Sequence, residues 1–154
     1  MAGGALALVV GILVYLTDRP GPVAARIPVL GALAGHHLFG DLGQWLPSFV
    51  HPFAFSLFTA AVLPRRSAWQ YAACLGWGAV NLAFEVGQHP RFSAALAGAL
   101  QTAFGSSPWV QRVANYFTLG TFDGGDIVAA VLGSLAAAAV LWLGRSRLEK
   151  ADAT

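Results

Sequence analysis

The residues best suited to chemistry in this chain are carboxylates and a histidine that interrupt apolar runs. Glu85 stands inside the apolar stretch 68–87. Ionisable residues inside a membrane-spanning helix are rare and usually mark a site, so Glu85 must face protein or water. Its polar neighbours share one helical face with it, because they recur at intervals of three or four residues. This stripe consists of Trp77, Asn81, Glu85 and Gln88.

Three further polar residues are expected at the depth of Glu85. His51 lies near the start of the preceding apolar run, and Asp123 and Asp126 lie near the start of the last one. Carboxylates held close together interact, so that one of them can keep a proton near neutral pH. Glu85 and Asp126, with His51, are therefore candidate catalytic residues for general acid-base chemistry.

The same three side chains also suit a metal site. Imidazole nitrogens and carboxylate oxygens both ligate divalent cations, so His51, Glu85 and Asp126 are candidate metal ligands. A cation held there would neutralise the acidic pair and bind a lipid-linked phosphate. The remaining polar residues are candidates for substrate binding. These are Gln88, Asn81 and Asp123.

Each candidate also has a structural explanation. Asp123 and Asp126 suit the capping of a helix that begins near Gly124. His51 can be a core histidine whose ring nitrogens are hydrogen bonded within the protein, and Gln88 can simply end its helix. Glu85 fits a structural role least well, because it lies about one turn inside its apolar stretch.

Composition places the chain among integral membrane proteins. Of its 154 residues, 56% are hydrophobic and only 10% are charged, whereas roughly a quarter of a soluble domain is charged. A net charge of +2, with no basic stripe interleaved with aromatics, argues against a nucleic-acid partner. The single cysteine, Cys74, excludes an intrachain disulfide and a multi-cysteine metal site.

The apolar pattern predicts one all-α membrane domain over residues 1–154, built as a four-helix transmembrane bundle. The first run lacks the basic n-region of a signal peptide, so a short span is the preferred interpretation there, although a signal peptide stays open. The predicted spans are 2–16, 47–63, 68–88 and 125–143.

The two long connections, 17–46 and 89–124, are predicted to hold interfacial or re-entrant segments. Residues 92–104 form an apolar stretch of about 20 Å, which is too short to cross a hydrocarbon core of about 30 Å. Residues 23–39 are too broken by glycine, proline and charge to cross lipid unaided, although a fifth span over 27–39 stays open. His36 and His37 are interpreted as part of a solvated interfacial face.

The ends of the spans indicate orientation. Cytoplasmic flanks collect Lys and Arg, so the segment holding Arg65 and Arg66 and the segment 145–150 are predicted to be cytoplasmic, with both chain termini on that side. Small residues repeat every four positions along the last span, at 125, 129, 133 and 137, and allow close approach of another backbone. Gly76, Ala83 and Gly87 are expected to supply the matching surface, and the same face leaves a homo-oligomer open.

The polar positions also carry a family resemblance. They resemble the VanZ-like membrane proteins over about residues 47–145, with Pro47 and Ser48 where that family usually has an Asp-Lys pair. The motifs concerned are His51 followed by Phe55, the E-x-x-Q element at 85–88, and the Thr-Phe-Asp-Gly-Gly-Asp run at 121–126 leading to Gly133. The family's histidine, glutamate, glutamine and aspartate fall on His51, Glu85, Gln88 and Asp126.

Two functional hypotheses follow. The resemblance implies a small bacterial protein of the cytoplasmic membrane with an accessory role in the cell envelope, since the family is named for an accessory protein of teicoplanin-type glycopeptide resistance. Its partners would be the lipid bilayer and a lipid-linked envelope substrate or glycopeptide at an outer-leaflet site. The alternative is a membrane-embedded enzyme or metal-dependent binder that acts through His51, Glu85 and Asp126. No G-x-S-x-G, H-E-x-x-H or P-loop motif is present, so the accessory role is favoured.

Overall fold

The computed structural model of the chain describes residues 2–18, 38–64 and 66–152. In these residues the chain is helical and contains no strand, which confirms the all-α prediction. A short 3-10 helix, Gly40–Gln44, precedes the second α-helix. The α-helices are α1 Ala2–Thr17, α2 Leu46–Val62, α3 Ser67–Gln88, α4 Ser93–Phe104, α5 Pro108–Leu119 and α6 Gly124–Asp152.

Four of the helices coincide with the predicted apolar runs. Helices α1, α2 and α3 begin and end within one residue of 2–16, 47–63 and 68–88, whereas α6 continues to Asp152 instead of ending at 143. Within the described residues, one helical segment, Gly124–Ser146, is both long and apolar enough to cross a membrane. Gly3–Thr17 and Leu46–Val62 are apolar but shorter. His36, His37 and nearly all of the segment 23–39 lie outside the described residues.

Helices α2, α3 and α6 pack pairwise, and α1 packs against α2. The tight turn after Val62 reverses the chain, so α3 runs antiparallel to α2. The Phe55 ring of α2 contacts the Trp77 ring of α3, with centroids 4.9 Å apart. Three residues from the three central helices form a buried apolar cluster, and no charged group interrupts it. They are Leu57, Cys74 and Ala137.

Glycine allows the closest helix approach in the bundle. A Cβ atom on Gly133 would collide with the backbone carbonyl oxygen of Phe49, so the small face of α6 receives the backbone of α2. The expectation of a matching surface on α3 is wrong for Gly76 and Gly87. A Cβ on Gly76 would meet nothing within 4 Å, and one on Gly87 would meet Phe117 of α5. The residue of α3 that approaches α6 closely is Gly78, next to Ser134.

The two ends of the bundle differ in charge. Arg145 Nη2 donates to Gln70 Oε1 at 2.5 Å, which brings the end of α6 beside the start of α3. Arg66 immediately precedes α3 at this same end. Antiparallel packing of α3 and α6 therefore puts Arg66 and Arg145 at one end of the bundle and Glu85 and Asp126 at the other.

The connection between α3 and α6 forms a helical hairpin of α4 and α5 over the acidic end. The predicted stretch 92–104 becomes α4, which is a surface helix with Ala97 as its one buried residue. Helix α5 buries Val110, Ala114 and Phe117 on one face, which matches its amphipathic spacing. Phe117 stacks on Phe84 with centroids 5.7 Å apart, so α5 is held against the last turns of α3.

Candidate functional site

A cavity of about 470 Å³ lies at the acidic end of the bundle. We call it the chamber. Helices α2, α3, α5 and α6 all contribute to its wall, and Tyr15 of α1 closes one side. The structure brings all six predicted catalytic and substrate-binding residues to this wall. They are His51, Asn81, Glu85, Gln88, Asp123 and Asp126.

Glu85 is tied to the segment that leads into α6. Its Oε1 atom accepts a hydrogen bond from the backbone N–H of Asp123 at 2.6 Å. Hydrogen bonds to a charged acceptor are among the stronger ones in proteins, so this contact orients the carboxylate and closes a loop of 38 residues. The polar stripe of α3 therefore faces protein, as its spacing predicts.

Asp126 is tied to α2. Its Oδ1 atom accepts a hydrogen bond from the Ser48 hydroxyl at 2.6 Å. Both residues are partly buried, and the contact joins the first turns of the two helices. Asp126 is thus an interhelical acceptor, and its side chain is not the cap of α6.

Asp123 is the residue that caps α6. Its Oδ1 atom accepts the backbone N–H of Gly125 at 2.8 Å, and its Oδ2 atom accepts the Trp45 indole N–H at 3.1 Å. The capping interpretation is therefore confirmed for Asp123, whereas Asp126 lies in the first turn of α6 and its Oδ1 atom is bonded to Ser48. Because both oxygens of Asp123 are engaged within the protein, Glu85 and Asp126 are the carboxylates best placed to meet a ligand.

His51 lies in a row of rings. Its imidazole stacks between Tyr15 and Phe55, with centroid separations of 6.4 and 5.9 Å. Among the contacts of the described residues, no hydrogen bond joins His51 to Glu85 or Asp126. A histidine held by aromatic rings offers a flat wall to a ligand, whereas an acid-base pair needs a carboxylate within hydrogen-bond reach.

Amide and phenol groups complete the polar wall. Asn81 donates to the Trp77 backbone carbonyl at 2.8 Å, and Gln88 hydrogen bonds to the Tyr116 side chain. Burial raises the pKa of the Tyr116 phenol, and the nearby charge of Glu85 raises that pKa further. The hydroxyl is therefore protonated at neutral pH and keeps its hydrogen for donation.

The chamber has a strongly acidic lining. Glu85, Asp123 and Asp126 contribute to it, and no Lys or Arg is found among the described residues of its wall. A bare phosphate would meet only like charge here. A cationic group or a cluster of hydroxyls matches the wall better, since each carboxylate can accept several hydrogen bonds.

The metal prediction gains no support from the geometry. His51, Glu85 and Asp126 line one cavity, yet the described part of the chain contains no group of three His, Cys, Asp or Glu side chains arranged to hold a metal ion. The metal-ligand role of these three residues stays a prediction.

Sequence reasoning missed several contributors to the wall. Ser48 precedes His51 by three residues, so helical spacing could have placed its hydroxyl on the same face. Tyr15, Phe84 and Tyr116 carried no such signal, because they belong to α1, the apolar part of α3 and the surface hairpin. Their participation depends on how those elements pack.

Comparison with known proteins adds no relative. No family model matches the chain, and no curated protein or solved structure matches it either.

Proposed function

We propose that the chain is a multi-pass protein of the bacterial cytoplasmic membrane, with α1, α2, α3 and α6 as its spans. The proposal is supported by the amount of apolar surface left outside the packed helices. Leu6 and Ile12 of α1, Leu75 of α3, and Leu132 and Leu135 of α6 are all more than half exposed. Soluble monomers rarely carry so much contiguous apolar surface, whereas lipid tails cover it at no cost.

The proposed orientation has both termini in the cytoplasm. It is supported by the position of Arg66 and Arg145 at one end of the bundle, because basic residues near span ends favour the cytoplasmic side. The chamber then opens near the outer leaflet, with the 3-10 helix Gly40–Gln44 and the α4–α5 hairpin on the outer side as interfacial segments.

Within that setting, we infer an accessory role in the cell envelope through ligand binding in the chamber. The observation that carries this function is the convergence of Glu85, Asp126, His51, Asn81 and Gln88 from three helices on one cavity of about 470 Å³. A cavity of that size accommodates a small molecule or a head group. The resemblance to VanZ-like proteins points to the same compartment, and to glycopeptide or lipid-linked envelope ligands. We favour binding over catalysis because His51 contacts rings instead of a carboxylate.

The proposal is tested by removing charge while keeping shape. In Glu85→Gln the side-chain oxygen can still accept the Asp123 N–H, and in Asp126→Asn it can still accept the Ser48 hydroxyl. We expect both variants to accumulate in the membrane like wild type and to lose the envelope phenotype. The measurements are immunoblotting of membrane fractions and teicoplanin susceptibility of a suitable bacterial host.

Asp41→Asn provides the matched control. Asp41 is an exposed carboxylate of the 3-10 helix and does not line the chamber, so the same chemical change should leave susceptibility at the wild-type level. Wild-type susceptibility in both chamber variants would contradict the binding role. Loss of the variant proteins from the membrane would contradict it too, since the carboxylates would then serve mainly to hold the bundle together.

A further inference from the structure

Three cavities follow one another along the same face of α3. The chamber shares His51, Asn81, Phe84 and Tyr116 with a second cavity of about 310 Å³. A third cavity of about 250 Å³ shares residues Trp77 and Val80 with the second. We call the second and third cavities together the groove, and the shared residues place the groove directly beside the chamber.

The polarity of the lining residues changes from the chamber to the groove. The chamber end carries the carboxylates, whereas the groove is lined by Phe55, Trp77 and Val80 and ends at Gly76 and Ala73. The Trp77 indole N–H already donates to Thr59 Oγ1 at 2.8 Å, so Trp77 offers the groove little besides its apolar ring. A polar chamber beside an apolar groove matches an amphiphile.

The dimensions fit a lipid chain. From Asn81 to Ala73 the groove follows eight residues of α3, about 12 Å at a rise of 1.5 Å per residue. One leaflet of a hydrocarbon core about 30 Å thick measures about 15 Å. A chain with its head group in the chamber would therefore run most of the way to the bilayer midplane.

The groove is accessible from the side among the described helices. Helices α1 and α3 both pack on α2, but no extensive contact joins α1 to α3. His51 and Phe55, four residues apart on α2, face this gap. Lipid could therefore reach the chamber laterally, without passing through water.

The charge of the chamber selects the head group. Glu85 and Asp126 present negative charge, and the rings of Phe84 and Tyr116 line the same chamber. Carboxylates and aromatic rings together favour an ammonium group, through charge-assisted hydrogen bonds and cation–π attraction. Resting on the proposed function, we propose that the ligand is an amphiphile with an ammonium-bearing head group in the chamber and its aliphatic chain in the groove.

The experiment measures binding to the purified full-length protein in a neutral maltoside detergent. Cys74 is the single cysteine and is buried, so a fluorogenic thiol reagent reports thermal unfolding directly. The probes are hexadecylamine, octylamine and hexadecanoate. We expect both amines to raise the unfolding midpoint in a saturable way, with hexadecylamine binding more tightly, and hexadecanoate to have no saturable effect.

Two variants separate the head group from the chain. Glu85→Gln should weaken both amines by about tenfold or more, because a hydrogen bond to a charged group is lost. Gly76→Leu fills the far end of the groove, where a Cβ meets nothing within 4 Å. It should weaken the binding of hexadecylamine by about tenfold, since several methylene groups of the long chain are no longer buried, and leave the binding of octylamine unchanged. Gly144→Leu on α6, also in open space, should behave like wild type.

Each outcome addresses one part of the inference. Equal binding of hexadecanoate would overturn the ammonium assignment. Equal binding of hexadecylamine to wild type and Gly76→Leu would overturn the chain assignment and indicate another occupant, such as residues 19–37 or a second copy of the chain. If neither amine binds but the envelope phenotype still requires Glu85, the ammonium-amphiphile inference is overturned and the proposed function stands. An envelope phenotype that no longer requires Glu85 would instead overturn the proposed function.

Discussion

Glu85 and Asp126 each accept one short hydrogen bond from another part of the chain, and those bonds determine how the two carboxylates face the chamber. The partner of Glu85 is the backbone N–H of Asp123, which only a proline at that position would remove. The partner of Asp126 is the hydroxyl of Ser48, which a single substitution removes. The two carboxylates can therefore be perturbed separately.

Ser48→Ala tests the contact with Asp126. We expect it to lower the free energy of unfolding by about 1 to 2 kcal/mol, because Asp126 loses a charge-assisted donor in a partly buried site. Ser48→Thr retains the hydroxyl and should stay close to wild type. Thermal unfolding followed through Cys74 measures both variants. Equal midpoints for Ser48→Ala and wild type would mean that water replaces the hydroxyl and that this contact does not hold α2 to α6.

At the scale of elements, the approach of α2 to α6 determines the width of the chamber. The carbonyl oxygen of Phe49 lies where a Cβ on Gly133 would be, so the two helices meet at backbone distance. Ser48 immediately precedes Phe49 on α2, and its hydroxyl donates to Asp126, which lies about two turns before Gly133 on α6. A wider crossing would therefore alter the chamber as well as the packing.

Gly133→Ala tests this crossing. We expect a loss of about 1 to 3 kcal/mol in stability, because the added methyl group must displace backbone. Gly144→Ala is the matched control, since its Cβ meets open space and alanine is favoured over glycine within a helix by up to about 1 kcal/mol. The comparison uses the same thermal assay. A Gly133→Ala protein as stable as the control would contradict the close approach.

At the scale of the whole molecule, charge separates the two ends of the bundle. Arg66 and Arg145 lie at one end, and Glu85, Asp123 and Asp126 lie at the other. Antiparallel packing of α3 and α6 produces this separation, because their registers pair Gln70 with Arg145 and Gly78 with Ser134. The proposed orientation puts the end that holds Arg66 and Arg145 in the cytoplasm.

Reporter fusions test that orientation. Fusions at Arg66 and after Arg147 should report a cytoplasmic location, and fusions near Gly40 and Ser107 should report an external one. The physical reason is the retention of Arg near span ends on the cytoplasmic side. Paired alkaline phosphatase and fluorescent-protein reporters provide the measurement, with each position serving as the control for the others. A cytoplasmic Ser107 would separate the chamber from the outer leaflet and contradict the proposed function.

Local sequence pattern predicted much of this architecture. The helices α1, α2 and α3 were predictable to within a residue because their apolar runs end at Asp18, Pro64 and His89-Pro90, where charge or proline stops them. The stripe of α3 was predictable because helical spacing puts Asn81, Glu85 and Gln88 on one face. The burial of Cys74 followed from its apolar surroundings.

By itself, then, the sequence determined the four apolar helices, the polar stripe and the residues that gather at one end, since these depend on periodicity and on chain direction. Only the tertiary structure decided that Gly133 contacts α2 and that Tyr116 lines the chamber. It also decided that both carboxylate oxygens of Asp123 accept hydrogen bonds from within the protein. The physical reason is distance along the chain. Asp123 lies 78 residues from Trp45 and 38 from Glu85, and no local pattern specifies contacts between segments that far apart.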